Sequence, residues 1–245
     1  MKSFQFTRLA ALPLAPVLVT QARQLRRDTP RLPDAALPWT GFRAGADPLR
    51  LLVLGDSTAA GVGAETQDEA LPGWIAHQIA ERWQRGTTWR ATGENGATAK
   101  DVLDRLVGEA ASVPFDLALL TIGANDALGL RSRAAFTRDV RAIVLALRAA
   151  SPGAAILVSL MPRFDRFALL PEPLRATLAR HAGSLDMGAR LAVGDLEGVI
   201  AIPTPPPYVE GFFASDEFHP SSLGYRLWAE FVFDSAPGLD FGSRP

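Results

Sequence analysis

The chain of 245 residues contains no cysteine. Disulfide bonds, thiolate nucleophiles and cysteine-ligated zinc are therefore excluded. Histidine is almost as scarce, with only His77, His181 and His219. That count does not suit a histidine-rich metal site, and no H-E-x-x-H occurs. Lysine is confined to Lys2 and Lys100, which makes nearly all the positive charge arginine. Neither sign of charge prevails: 25 basic residues face 26 acidic ones, for a net charge of −1. Such a balance carries no electrostatic footprint for nucleic acid. The N-terminal apolar stretch from Leu9 to Val19 is interrupted by Pro13 and Pro16 and is too short to span a bilayer.

What is present is ordinary globular material. Hydrophobic residues make up 48% and charged residues 21%, enough apolar surface for one sizeable core. Three regions are expected: an apolar and basic arm with a linker over 1–48, a main domain over 49–236 and a short tail over 237–245. The arm reads in two ways. Its apolar core has the length of an export signal over residues 1–22, but Arg23, Arg26 and Arg27 follow at once and oppose export. The preferred reading is a helix packed on the domain or on a membrane surface, hence a cytoplasmic or weakly membrane-associated protein. Residues 28–48 are rich in Pro, Gly and Ala without periodicity and read as a linker.

From Arg50 onward short apolar runs alternate with longer helical patterns. Strands are expected at 50–54, 87–91, 115–122, 155–160 and 199–202, the last stopped by the proline-rich run 203–207. Helices are expected at 71–85, 98–110, 134–150, 174–193 and 221–233, with Pro220 opening the last. Five strand–helix alternations imply an α/β fold with a parallel sheet covered on both faces. In such sheets ligands bind beyond the carboxyl ends of the strands.

Two of three chemistry-bearing segments fall at such strand ends. Gly55-Asp56-Ser57 follows Leu51–Leu54, and Gly123-Ala124-Asn125-Asp126 follows Leu117–Ile122. The third, Asp216-Glu217-Phe218-His219, lies near the C-terminus. A serine hydroxyl needs a base within hydrogen-bond reach. His219 is the best candidate, since His77 and His181 sit inside amphipathic helices. Asp216, three residues away, can fix its tautomer if the segment turns back on itself. A tetrahedral intermediate needs amide donors, and the Ser57 N–H, the Asn125 side chain and the Gly96 N–H are the candidates. Asp56 and Asp126 read as structural, holding loop amides. No G-x-S-x-G elbow or phosphate-binding glycine motif is present.

On these residues the chain resembles the SGNH hydrolases, also called GDSL esterases. Ser57, Gly96, Asn125 and His219 match the four signature residues over about residues 50–234. Thr58 stands where leucine is common, and Gly93 competes with Gly96 for the glycine position. The resemblance implies a flavodoxin-like three-layer α/β/α sandwich on a five-stranded parallel sheet. It also implies ester hydrolysis through an acyl-enzyme with no metal or cofactor, using a Ser57-Asp216-His219 triad and an oxyanion hole of Ser57, Gly96 and Asn125.

Substrate choice is left to loops. Trp74, Phe164, Phe167, Phe212 and Phe213, with Leu169, Leu170 and Tyr208, are candidates to line an apolar acyl pocket. They favour short- to medium-chain acyl or aryl esters. The alternatives are a lysophospholipase, a carbohydrate acetylesterase or a catalytically silent binding protein on the same fold.

Overall fold

The computed structural model describes residues 7–203 and 208–242. Positions 1–6 of the possible export signal, most of the proline-rich stop (204–207) and residues 243–245 of the tail lie outside the described residues.

The six strands are β1 (Thr40–Arg43), β2 (Ala46–Gly55), β3 (Arg85–Gly93), β4 (Leu117–Thr121), β5 (Ala155–Ser159) and β6 (Val199–Ile202). They form one sheet in the order β1-β3-β2-β4-β5-β6. The five expected strands are mutually parallel. Counted alone in chain order they run 2-1-3-4-5, the flavodoxin-like arrangement. The sheet is nevertheless mixed and six-stranded, because β1 pairs antiparallel with β3 at the edge. The expected linker at 28–48 thus carries β1 and the start of β2. Nearly all of β1 faces solvent, so it shows none of the apolar alternation that marks a half-buried strand.

Helices cover both faces. Side chains alternate along a strand, so one strand feeds two cores. Leu52, Leu54, Ala118, Leu120, Ile156 and Val158 join one core, with α7 (Arg133–Ala150) and α8 (Leu174–Val193). Leu51, Val53, Leu117, Leu119 and Leu157 join the other, under α3 (Leu71–Trp83) and α9 (Ser222–Asp234). The resulting architecture is a three-layer α/β/α sandwich.

Helix ends follow local chemistry. Ser132 caps α7 by accepting the Ala135 N–H at 3.2 Å. Ser221, rather than Pro220, begins α9: its hydroxyl accepts the Gly224 N–H at 3.2 Å. The expected helix at 98–110 is split. It consists of α4 (Ala99–Asp101), a π-helical turn at Val102–Leu106 and α5 (Val107–Ala110), opened by a Thr98–Asp101 capping box. A short α6 (Ala124–Leu128) follows β4.

The N-terminal arm is helical and packed. It comprises α1 (Thr7–Ala11) and α2 (Ala15–Asp28). Thr7 Oγ1 lies 2.9 Å from His181 Nδ1 on α8, Leu18 is buried, and Gln21 Nε2 donates to the Glu172 carbonyl at 2.7 Å. Among the described residues no helix is long and apolar enough to cross a membrane.

Candidate active site

The site forms where strand order reverses. β2 lies between β3 and β4, with Gly55 in register with Gly93 on one side and Thr121 on the other. The loops leaving these three strands therefore meet at one edge, the position where open α/β sheets bind ligands. The loop after β2 carries Ser57, the loop after β3 carries Gly96, and α6 after β4 carries Asn125.

The serine turn is braced from within. The Asp56 N–H donates to the Thr121 carbonyl and the Ala60 N–H to the Asp56 carbonyl, both at 3.0 Å. The Asp56 carboxylate accepts the Thr58 N–H at 3.0 Å, as expected of a residue holding loop amides. Burial pushes its carboxyl up to about 6, against the pull of the Thr58 N–H and of nearby His219. Further along, Gly63 has φ of +96° and packs on the chain just beyond His219. A Cβ there would overlap the Pro220 carbonyl oxygen, so glycine permits this approach. The buried Tyr225 hydroxyl adds a tie, donating to the Val62 carbonyl at 2.7 Å.

His219 arrives on a tight turn. Glu217 sits at φ of +54°, a left-handed conformation that swings Asp216 round toward the ring two residues on. The Asp216 Oδ1 accepts the Phe218 N–H at 3.0 Å and the His219 N–H at 2.9 Å. Its Oδ2 lies 2.6 Å from His219 Nδ1. On the other side of the ring, His219 Nε2 lies 3.0 Å from Ser57 Oγ. The Asp216 side chain is 2% exposed and that of His219 17%. Burial alone would raise the Asp216 carboxyl; the His219 ring and the two backbone N–H groups outweigh it and hold the group below its ordinary value. The carboxylate is thus kept ionised behind the imidazole. The other two histidines point elsewhere: His77 pairs with Glu81 at 3.0 Å, and His181 Nε2 bonds to the Arg131 carbonyl at 3.0 Å.

Asn125 is tied to the loop that carries Gly96. Asn125 Nδ2 donates to the Ala97 carbonyl at 3.0 Å, and the neighbouring Asp126 accepts the Ala99 N–H at 2.9 Å. Asp126 also pairs with Arg131 at 2.7 Å. Gly96 has φ of +85°, with open space where a side chain would stand. Gly93, its rival by sequence, instead ends β3 and packs against the backbone at Ala59 and Ala60. Among the described residues neither the Ser57 N–H nor the Gly96 N–H has an acceptor.

A cleft opens over Ser57 and His219. It is walled by Ile122, Leu160, Phe167, Tyr208, Phe212, Phe213, Phe218 and Trp228. The expected Phe167, Phe212 and Phe213 are here; Trp74 and Phe164 are not. Trp74 faces its own helix, with its indole N–H on the Glu69 carbonyl at 3.1 Å and its ring edge-on to His77. Phe164 is wholly buried and backs Phe167 with centroids 5.4 Å apart. Phe218 and Trp228 were missed. Phe218 had a signal, since it adjoins His219; Trp228, on a helix face, had none.

A buried serine hydroxyl, a half-buried imidazole and a buried carboxylate thus stand in one hydrogen-bonded line at the switch point of a doubly wound sheet, an arrangement able to activate the serine for acyl transfer. The chain belongs to the GDSL-like lipase/acylhydrolase family, whose family model matches residues 53–227, and it is accordingly a carboxylic ester hydrolase. It is similar to a GDSL-like esterase of Mycobacterium tuberculosis, 29% identical over 237 residues, covering 89% of this chain and 74% of the relative. Among solved structures it is similar to TesA, with a TM-score of 0.61 and 20% identity, covering 78% of this chain and 99% of that one. It is also similar to a phospholipase A1 from Streptomyces albidoflavus NA297, with a TM-score of 0.55 and 19% identity, covering 78% and 100%.

Proposed function

We propose that the protein hydrolyses short- to medium-chain acyl or aryl esters through an acyl-enzyme on Ser57. The observation that carries this reading is the unbroken contact from Ser57 Oγ to His219 Nε2 at 3.0 Å and from His219 Nδ1 to Asp216 at 2.6 Å. In the proposed mechanism His219 takes the Ser57 proton as Oγ attacks the ester carbonyl. Asp216 keeps the Nδ1 proton in place and stabilises the imidazolium. The Ser57 N–H, the Gly96 N–H and Asn125 Nδ2 stabilise the oxyanion. His219 then protonates the departing alkoxide, and water enters by the reverse path to free the acid.

The ring-walled cleft supports an apolar acyl group. Thr121 and Ser159 stand in the lining on its sheet side.

The test is a chain-length series of p-nitrophenyl esters with wild type and Ser57→Ala. Wild type should turn over the short and middle members, and Ser57→Ala should lose about three orders of magnitude or more in kcat. Equal rates in the two proteins would remove Ser57 from the mechanism, and no turnover in either would return the chain to a catalytically silent binding role. Preference for lysophospholipids or acetylated sugars over simple esters would replace the proposed substrate class.

A further inference from the structure

We propose that the outer face of the α1–α2 arm docks on an anionic lipid surface. The helix α2 has one face committed to the body of the protein through Leu18, Gln21 and Leu25. What the arm turns outward, on the turn at Leu12–Leu14 and on the two flanks of that buried face, is unusual for an exposed segment. Leu12 is 64% exposed, Val17 and Val19 are each 47% exposed, and Leu14 is also exposed. No charged residue occurs between Leu9 and Ala22, so this apolar strip is not broken by charge.

Directly after the strip the exposed face becomes basic. Arg23, Arg26 and Arg27 are all exposed, against a single acid, Asp28, which pairs with Arg27 at 2.9 Å. Arg8 adds an exposed cation at the other end. This local excess stands in a chain whose net charge is −1. An apolar strip flanked by arginines suits the boundary between acyl chains and anionic headgroups, the strip entering the former and the guanidinium groups meeting the latter. Since no described helix can span a bilayer, the arm would lie in the interface. Its far end borders the active-site turn: Leu25, Asp28 and Thr29 share a surface groove with Leu169, Ser215, Asp216 and Glu217. Docking would therefore hold that side of the enzyme against the bilayer.

The test is flotation of the full chain with phosphatidylglycerol–phosphatidylcholine vesicles and with phosphatidylcholine vesicles. Binding should require the anionic lipid and weaken as salt rises. The double variants Val17→Glu with Val19→Glu, and Arg23→Glu with Arg26→Glu, should each lower partitioning on the order of tenfold or more. Hydrolysis of soluble p-nitrophenyl acetate should be unchanged, which shows the variants to be folded. Three results would overturn the proposal: no flotation of wild type, equal flotation of the variants, or equal binding to neutral vesicles. A fourth would reassign the face to a second copy of the chain: a dimer in size-exclusion chromatography that Val17→Glu with Val19→Glu dissociates while vesicle binding is absent.

Discussion

Around Ser57 the side chains of His219, Asp216 and Asn125 are each held by a directional partner, whereas the aromatic wall is held, Tyr208 apart, by contact among its rings. Asp216 satisfies two backbone amides and an imidazole, and Asn125 holds the Ala97 carbonyl. Phe167, by contrast, meets Tyr208, Phe213 and Phe218 at centroid separations of 5.0 to 5.5 Å, with no hydrogen bond among the rings. Only the Tyr208 hydroxyl is anchored, accepting the Arg163 N–H at 3.1 Å. A hydrogen-bonded group has few replacements, because atom type and reach must both be kept. A ring wall has many, because any apolar side chain of similar volume covers the same area. The difference predicts that changes at the polar end act on kcat, while changes in the wall act on KM and chain-length preference.

The largest effect should come from Asp216→Asn. The amide oxygen can still accept the two backbone N–H groups, so the turn should persist, but the imidazole loses its ionised partner. The expected fall in kcat is roughly ten-thousandfold with little change in KM. An unchanged rate would remove Asp216 from the mechanism. Asn125→Ala deletes the proposed side-chain oxyanion donor and the bond to Ala97. A drop in kcat of about a hundred- to a thousandfold is expected from steady-state rates; a pure KM effect would blur the contrast between the two ends.

Asp56 tests the polar end through stability rather than rate. Its folded value, about 6, lies above the ordinary 3.8, so the folded state holds its proton more tightly than the unfolded chain does. The associated stabilisation is complete below the ordinary value and is lost as pH rises toward about 6. Asp216, held below its ordinary value, has the opposite sign: its stabilisation is present above the carboxylate range and lost as pH falls through the lowered value. Asp56→Asn keeps an acceptor for the Thr58 N–H and removes the titration. Urea unfolding should show the variant gaining on wild type by about 2–3 kcal/mol between pH 4 and 7. A constant difference across that range would reject the assignment. The smallest effect is expected from Phe213→Ala: KM for medium-chain esters should rise by about tenfold while kcat stays within a factor of a few. An equal loss on acetate and longer esters would mean that the wall does not select chain length.

The same contrast separates what was legible in the sequence from what was not. The second half of β2, with β4 and β5, could be read because both of their faces are buried, and Leu51–Leu54 and Leu117–Leu120 are apolar throughout. Ser57, Asp216 and His219 stand out in the sequence by their chemistry, and the fold brings them within hydrogen-bond reach of one another. β1 could not be read, since its residues face solvent and its pairing is made by backbone groups that any residue carries. The π-helical turn at Val102–Leu106 was hidden for a related reason: one extra residue in a turn barely disturbs the apolar spacing. Trp74 and Phe164 were misplaced because an aromatic side chain in sequence carries no mark of which way it faces.

The bond between Ser57 and His219 joins residues 162 positions apart in the chain. It can form only once the loop after β2 and the turn ahead of α9 have come together. Activity is therefore a report on completion. A partly folded chain with the sheet formed but its last turn undocked would resemble the native protein by circular dichroism and yet turn over nothing. Regain of ester hydrolysis on refolding would date the arrival of the C-terminal segment, and a chain cut before Asp216 would keep the proposed nucleophile and lose its proposed base.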